Sequence, residues 1–79
     1  MLAVGKRRGT DVDEEAFNMS VRKYLKKLGV TAQREIEIAV REQLESGELR
    51  GDEKLEARAT VNIAGLERDV VVTGEIALS

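Results

Sequence analysis

Cysteine, histidine and tryptophan are all missing from this chain of 79 residues. Without Cys there is no disulfide framework and no thiolate metal site, and without His the commonest zinc ligand is gone as well. Small domains often add such staples because a short chain buries only a modest share of its surface. This one has to rely on apolar packing alone, within itself or against a second copy of itself. Long apolar runs are missing too. The opening Met1-Leu2-Ala3-Val4-Gly5-Lys6-Arg7-Arg8 has four apolar residues before Gly5, with the basic residues after them, which is far short of a signal-peptide core. No window approaches the roughly 18 apolar residues of a membrane span. Zero cysteine fits a reducing compartment, so the expected location is cytoplasmic, with no membrane association.

Neither sign of charge dominates, since the formal net charge is −2, but the distribution is uneven. Residues 1–13 sum to +1 and 14–31 to +2, whereas 32–46 sum to −2 and 47–79 to −3. The arm and the first helical stretch are basic, and everything after them is acidic.

What is present is a clear alternation of helical and strand periods. Residues 1–12 carry no periodicity, two Gly and a basic triplet, which predicts a disordered basic arm. Residues 13–79 then read as a single domain. Asp13 is placed to cap a helix whose first turn holds Glu14 and Glu15. Phe17, Val21, Tyr24, Leu25 and Leu28 share one stripe at helical spacing. Leu28-Gly29-Val30 reads as the end of that helix, with Gly29 left-handed and Val30 folded back on the last turn. Thr31 then caps a second helix with Ala32, Ile36, Ala39, Val40 and Leu44 on one face, closed by Ser46-Gly47.

Leu55 to Ile63 and Val70 to Leu78 alternate apolar and polar residues like half-buried strands. The link Ala64-Gly65-Leu66-Glu67 predicts a hairpin in one of two registers. A type II′ turn at Gly65-Leu66 sets Val61 opposite Val70 and Ala59 opposite Val72. A four-residue loop sets Val61 opposite Val72 and Ala59 opposite Gly74. The expected fold class is therefore α+β: a two-layer α-α-β-β unit, with an antiparallel helix pair packed on a C-terminal β-hairpin. A two-stranded sheet is marginal even so, and the Val70-Val71-Val72 edge invites strands from a second protomer, so a homodimer through a strand edge fits the pattern.

Few residues suggest chemistry. Arg22, Lys23, Lys26 and Lys27 lie away from the apolar stripe and, with Lys6-Arg7-Arg8, form a candidate phosphate-binding surface. The plainer reading is a solvated helix face, whose cations complement a helix C-terminus. Ile38 stands among Arg34, Arg41 and Glu45, either as an ordinary exposed apolar residue or as a contact point for a partner protein. The stretch from Tyr24 through Thr31 into a helix, followed by a hairpin, has the outline of a winged-helix regulator. Against it, Leu25 and Glu35 occupy positions where that turn wants a small residue and a hydrophobe. The second helix also carries Glu35, Glu37, Glu42 and Glu45, which phosphate would repel. No nucleophile elbow, phosphate loop or dinucleotide fingerprint occurs, so no catalytic residue, cofactor or metal is expected, and the chain is not expected to be an enzyme.

The run from Phe17-Asn18-Met19-Ser20-Val21-Arg22-Lys23-Tyr24 through Glu37, with Ile63-Ala64-Gly65-Leu66 and Gly74-Glu75-Ile76-Ala77-Leu78, resembles a family of short bacterial proteins known as a domain of unknown function. The resemblance covers about residues 13–79 and implies a free-standing protein, with no activity or site attached. The sequence thus predicts a non-enzymatic protein-interaction or regulatory module. The alternative is a winged-helix-like nucleic-acid-binding protein contacting phosphates through the basic face of the first helix.

Overall fold

The computed structural model describes residues 12–79, so the arm expected over residues 1–12, including Lys6-Arg7-Arg8, lies outside the described residues save for Val12. Three elements follow in order: helix α1 over Glu14–Ser46, strand β1 over Lys54–Val61 and strand β2 over Val70–Ala77. The α+β class holds, but the antiparallel helix pair does not form.

One uninterrupted helix of 33 residues replaces the two expected helices. It begins as the sequence suggests. The Asp13 Oδ1 accepts from the Ala16 N–H at 3.1 Å and the Asp13 carbonyl from the Phe17 N–H at 2.9 Å, a side-chain N-cap. It ends as expected too, in a Schellman motif. Gly47 takes a φ of 86°, its N–H donates to the Leu44 carbonyl, and the Glu48 N–H donates to the Gln43 carbonyl at 2.9 Å. The Gly29-Val30-Thr31 turn between these ends is absent. A glycine in a helix interior costs only about 1 kcal/mol, and no proline occurs anywhere in the chain to force a break. Gly29 is therefore helical, and Val30 is exposed instead of folding back on a last turn. With the turn goes the winged-helix geometry, which needs two helices at an angle.

β1 and β2 pair antiparallel with Val61 opposite Val70 and Ala59 opposite Val72, the first of the two expected registers. The turn differs from the expected one. The Leu66 N–H donates to the Ile63 carbonyl at 3.0 Å, and Gly65 has a φ of 100°. Gly65 is thus the third residue of the turn, where a type II turn requires a positive φ, and not its second. An Asn62 Nδ2 to Asp69 Oδ1 bond of 2.8 Å straps the rest of the loop. Ahead of β1, the Glu53 carboxylate accepts from the backbone N–H groups of Arg50 and Gly51, each at 2.9 Å.

The contacts divide the chain into two compact units, one ending at Ile38 and the other spanning Ala39–Ser79. Neither has a closed core. No described side chain is fully buried, and the strongest shielding is partial, at Leu28 and Ala32 in the first unit and at Val40, Leu49, Leu55, Ala57, Val61, Ile76 and Leu78 in the second. The antiparallel helix pair of the expected two-layer unit is absent, because its second helix is a continuation of the first.

Candidate interaction surface

In the first unit the apolar stripe lies where helical periodicity puts it, but it faces solvent. Phe17 is 55% exposed and Leu25 50%, and Val21, Tyr24 and Ile36 are similarly open. The stripe repeats at eleven-residue intervals: Phe17 to Leu28, Val21 to Ala32 and Leu25 to Ile36. Eleven residues per three turns is 3.67 per turn, close enough to the natural helical period that the stripe barely drifts along a straight helix.

Arg22, Lys23, Lys26 and Lys27 fall on the sides of α1 away from this stripe, all exposed, and none forms an ion pair with another described residue. The backbone brings the four together over less than two turns. Met19 and Ser20 join Arg22, Lys23 and Lys26 around a shallow hollow on this side. Ile38 is 46% exposed, as expected, and Met19 and Val30 are more open still. Sequence reading did not single out Met19 and gave Val30 only a role in ending a helix, although their eleven-residue spacing matches that of the stripe.

In the second unit the hairpin shows two chemically different faces. Leu55 with Ile76, Ala57 with Gly74, Ala59 with Val72 and Val61 with Val70 are cross-strand pairs that share one apolar face, as alternation requires. That face is incompletely covered, since Val72 is 60% exposed. The opposite face pairs Glu56 directly with Glu75 and Arg58 with Thr73, around a second shallow hollow. Glu56, Arg58, Thr73 and Glu75 are all exposed. Among the described residues the sheet has two strands, so both are edges.

Among the described residues no cluster of carboxylates is placed to hold a metal ion, and no helix is long and apolar enough to cross a membrane. The Glu53 carboxyl sits below its ordinary range because the Arg50 and Gly51 N–H groups bond its ionised form. That serves the turn into β1. What the arrangement provides is surface: an apolar helix stripe, a cationic helix flank, an apolar sheet face and free strand edges.

A family of unknown function, DUF6494, matches residues 12–79, and the chain belongs to it. No curated protein and no solved structure shows significant similarity to the chain.

Proposed function

From a family whose function is unknown the chain inherits no activity, and we propose that residues 13–79 act as a non-enzymatic cytoplasmic interaction module, completed by a protein partner through the helix stripe and the free edge of β2. The observation that carries this reading is the lack of any buried side chain among the described residues, in a chain that nonetheless forms well-capped, regular elements. An isolated two-stranded hairpin is marginal in water, and most helical stability in proteins comes from packing of an apolar face. Elements with these faces uncovered are half of an assembly. A second copy of the chain is the simplest other half.

Sedimentation velocity across a range of concentrations, with circular dichroism on the same samples, tests it. An oligomer that holds its helix and strand signal on dilution to its dissociation range, and loses both beyond it, is the expected result. A monomer that stays fully folded at every concentration overturns the reading.

One observation favours a second reading. Four exposed cations without an ion-pair partner among the described residues suit phosphate contact, even though the helix-turn-helix geometry is gone. If that reading is correct, duplex DNA or RNA shifts the amide resonances of Arg22 to Lys27 at low salt, and moderate salt abolishes the shifts. A silent titration removes it.

A further inference from the structure

Deepening the interaction reading and resting on it, we propose that the free edge of β2 pairs with β2 of a second copy, antiparallel about a twofold axis at Gly74, to make one four-stranded sheet.

The ladder itself shows which backbone groups are free. Glu53 and Leu78 continue the register one step beyond Lys54 and Ala77, and the Leu78 N–H donates to the Glu53 carbonyl at 3.0 Å. Hydrogen-bonded and non-hydrogen-bonded pairs alternate along an antiparallel ladder, so Leu55–Ile76, Ala57–Gly74, Ala59–Val72 and Val61–Val70 are the bonded ones. The residues between them turn their N–H and C=O groups away from the paired strand. On β2 these are Val71, Thr73, Glu75 and Ala77, and among the described residues no backbone group bonds to them across the open edge. On β1 they are Lys54, Glu56, Arg58 and Thr60.

Two features choose the β2 edge. Lys54, Glu56 and Arg58 put charge along the β1 edge, which guards it against pairing, whereas Glu75 is the one charge among the outward residues of β2. Shielding is uneven as well. Ala57 and Val61 are half-buried, but Gly74 and Val70 opposite them are exposed, and Val71 and Val72 are open on the two faces of one strand. Cover of the apolar face therefore stops short at β2, where an added strand would continue it.

A second copy is selected by the order of residues along the strand. Reversed about Gly74, the run from Val70 to Leu78 sets Val70 against Leu78, Val71 against Ala77, Val72 against Ile76 and Thr73 against Glu75. Apolar meets apolar in three pairs and polar meets polar in the fourth, with the gap at Gly74 confined to the axis. All four outward residues meet outward residues, and the two apolar faces become one. Other centres fail on charge or polarity. Thr73 as centre sets Val71 against Glu75, Val71 or Val72 as centre sets Glu75 against Glu67 or Asp69, and Glu75 as centre sets that residue against itself. A centre between two residues would oppose outward groups to inward ones. With the axis at Gly74 the two Glu75 side chains are diagonal neighbours, and no acid stands opposite another. The contact is isologous, so it closes as a dimer.

Amide exchange followed by NMR on the unsubstituted full-length protein, at a concentration where sedimentation shows a dimer, reads the pairing directly. The expected result is exchange at Val71, Thr73 and Glu75 slowed at least about tenfold relative to open-edge amides. Protection confined to Val70, Val72 and Ile76 means an unpaired hairpin. It overturns the proposal and leaves the helix stripe as the contact of the broader reading. Single-thiol variants then locate the axis, since the chain has no cysteine of its own. A Cβ built at Gly74 meets nothing within 4 Å, so one copy has room for Gly74→Cys. About the stated axis its two Cα atoms lie about 4.5 Å apart, within disulfide reach, whereas those of Val72→Cys lie roughly 14 Å apart. Mild oxidation should link Gly74→Cys into a covalent dimer and leave Val72→Cys unlinked. Equal linking of the two, or none at Gly74→Cys, overturns the proposal. A folded monomer by sedimentation overturns both the pairing and the broader reading.

Discussion

At the residue scale the clearest small device is Glu53. Its carboxylate accepts the N–H groups of Arg50 and Gly51, and its own carbonyl accepts the Leu78 N–H at 3.0 Å. One residue thus ties the turn before β1 to the end of the hairpin. The ionised form is favoured in the fold, so the folded carboxyl titrates below its ordinary value of 4.5. Because the folded value is the lower one, the stabilisation is fully present above the unfolded value and is lost as pH falls through the folded value. Thermal unfolding followed between about pH 2 and 6 should therefore show an acid limb that Glu53→Gln makes shallower. An unchanged acid limb in that variant would assign the loss to other carboxylates. This device was hidden in the sequence, because a side chain reaching back to two backbone N–H groups leaves no periodic trace. Asp13 and Gly47 were legible because a side-chain cap and a left-handed glycine are local chemistry and depend on nothing distant.

At the scale of elements, sequence and structure part company at Gly29. The signals for a turn there were real: a glycine, a following β-branched residue and a capping threonine. Each is a preference of about 1 kcal/mol or less, and a helix can absorb that. A turn is worth its cost only if the two helices it creates bury apolar surface against each other, and no described side chain is buried. The continuous helix is what remains when that reward is missing. The strands were legible because alternation specifies them directly, and the choice between two registers fell to a loop whose turn lies one residue earlier than expected. A consequence follows for Gly29. A Cβ built there meets nothing within 4 Å and the backbone is helical, so Gly29→Ala should raise stability by roughly 0.5–1 kcal/mol. If instead a turn forms at this point in solution, with Gly29 left-handed, alanine destabilises, and the sign of the change in thermal unfolding decides between them.

For the whole molecule, the candidate surface was half legible. Periodicity named the stripe residues, but it described them as core, because a sequence pattern gives the side that wants burial and not the chain that supplies it. Phe17, Leu25, Val70 and Val72 are all open in one copy. Apolar groups contribute about 25 cal/mol per Å² when removed from water, so the stabilisation these side chains can provide is realised only on association. Folding and assembly are then one equilibrium, and stability belongs to the concentration as much as to the chain. The midpoint of thermal unfolding should accordingly rise by several degrees for each tenfold increase in protein concentration. Leu25→Glu, which sets a charge in the stripe without touching any cap or turn, should abolish that dependence and leave a poorly folded monomer. A concentration-independent midpoint in the unsubstituted protein would mean that each chain finds its stability alone, and the open stripe would then have to serve something other than self-association.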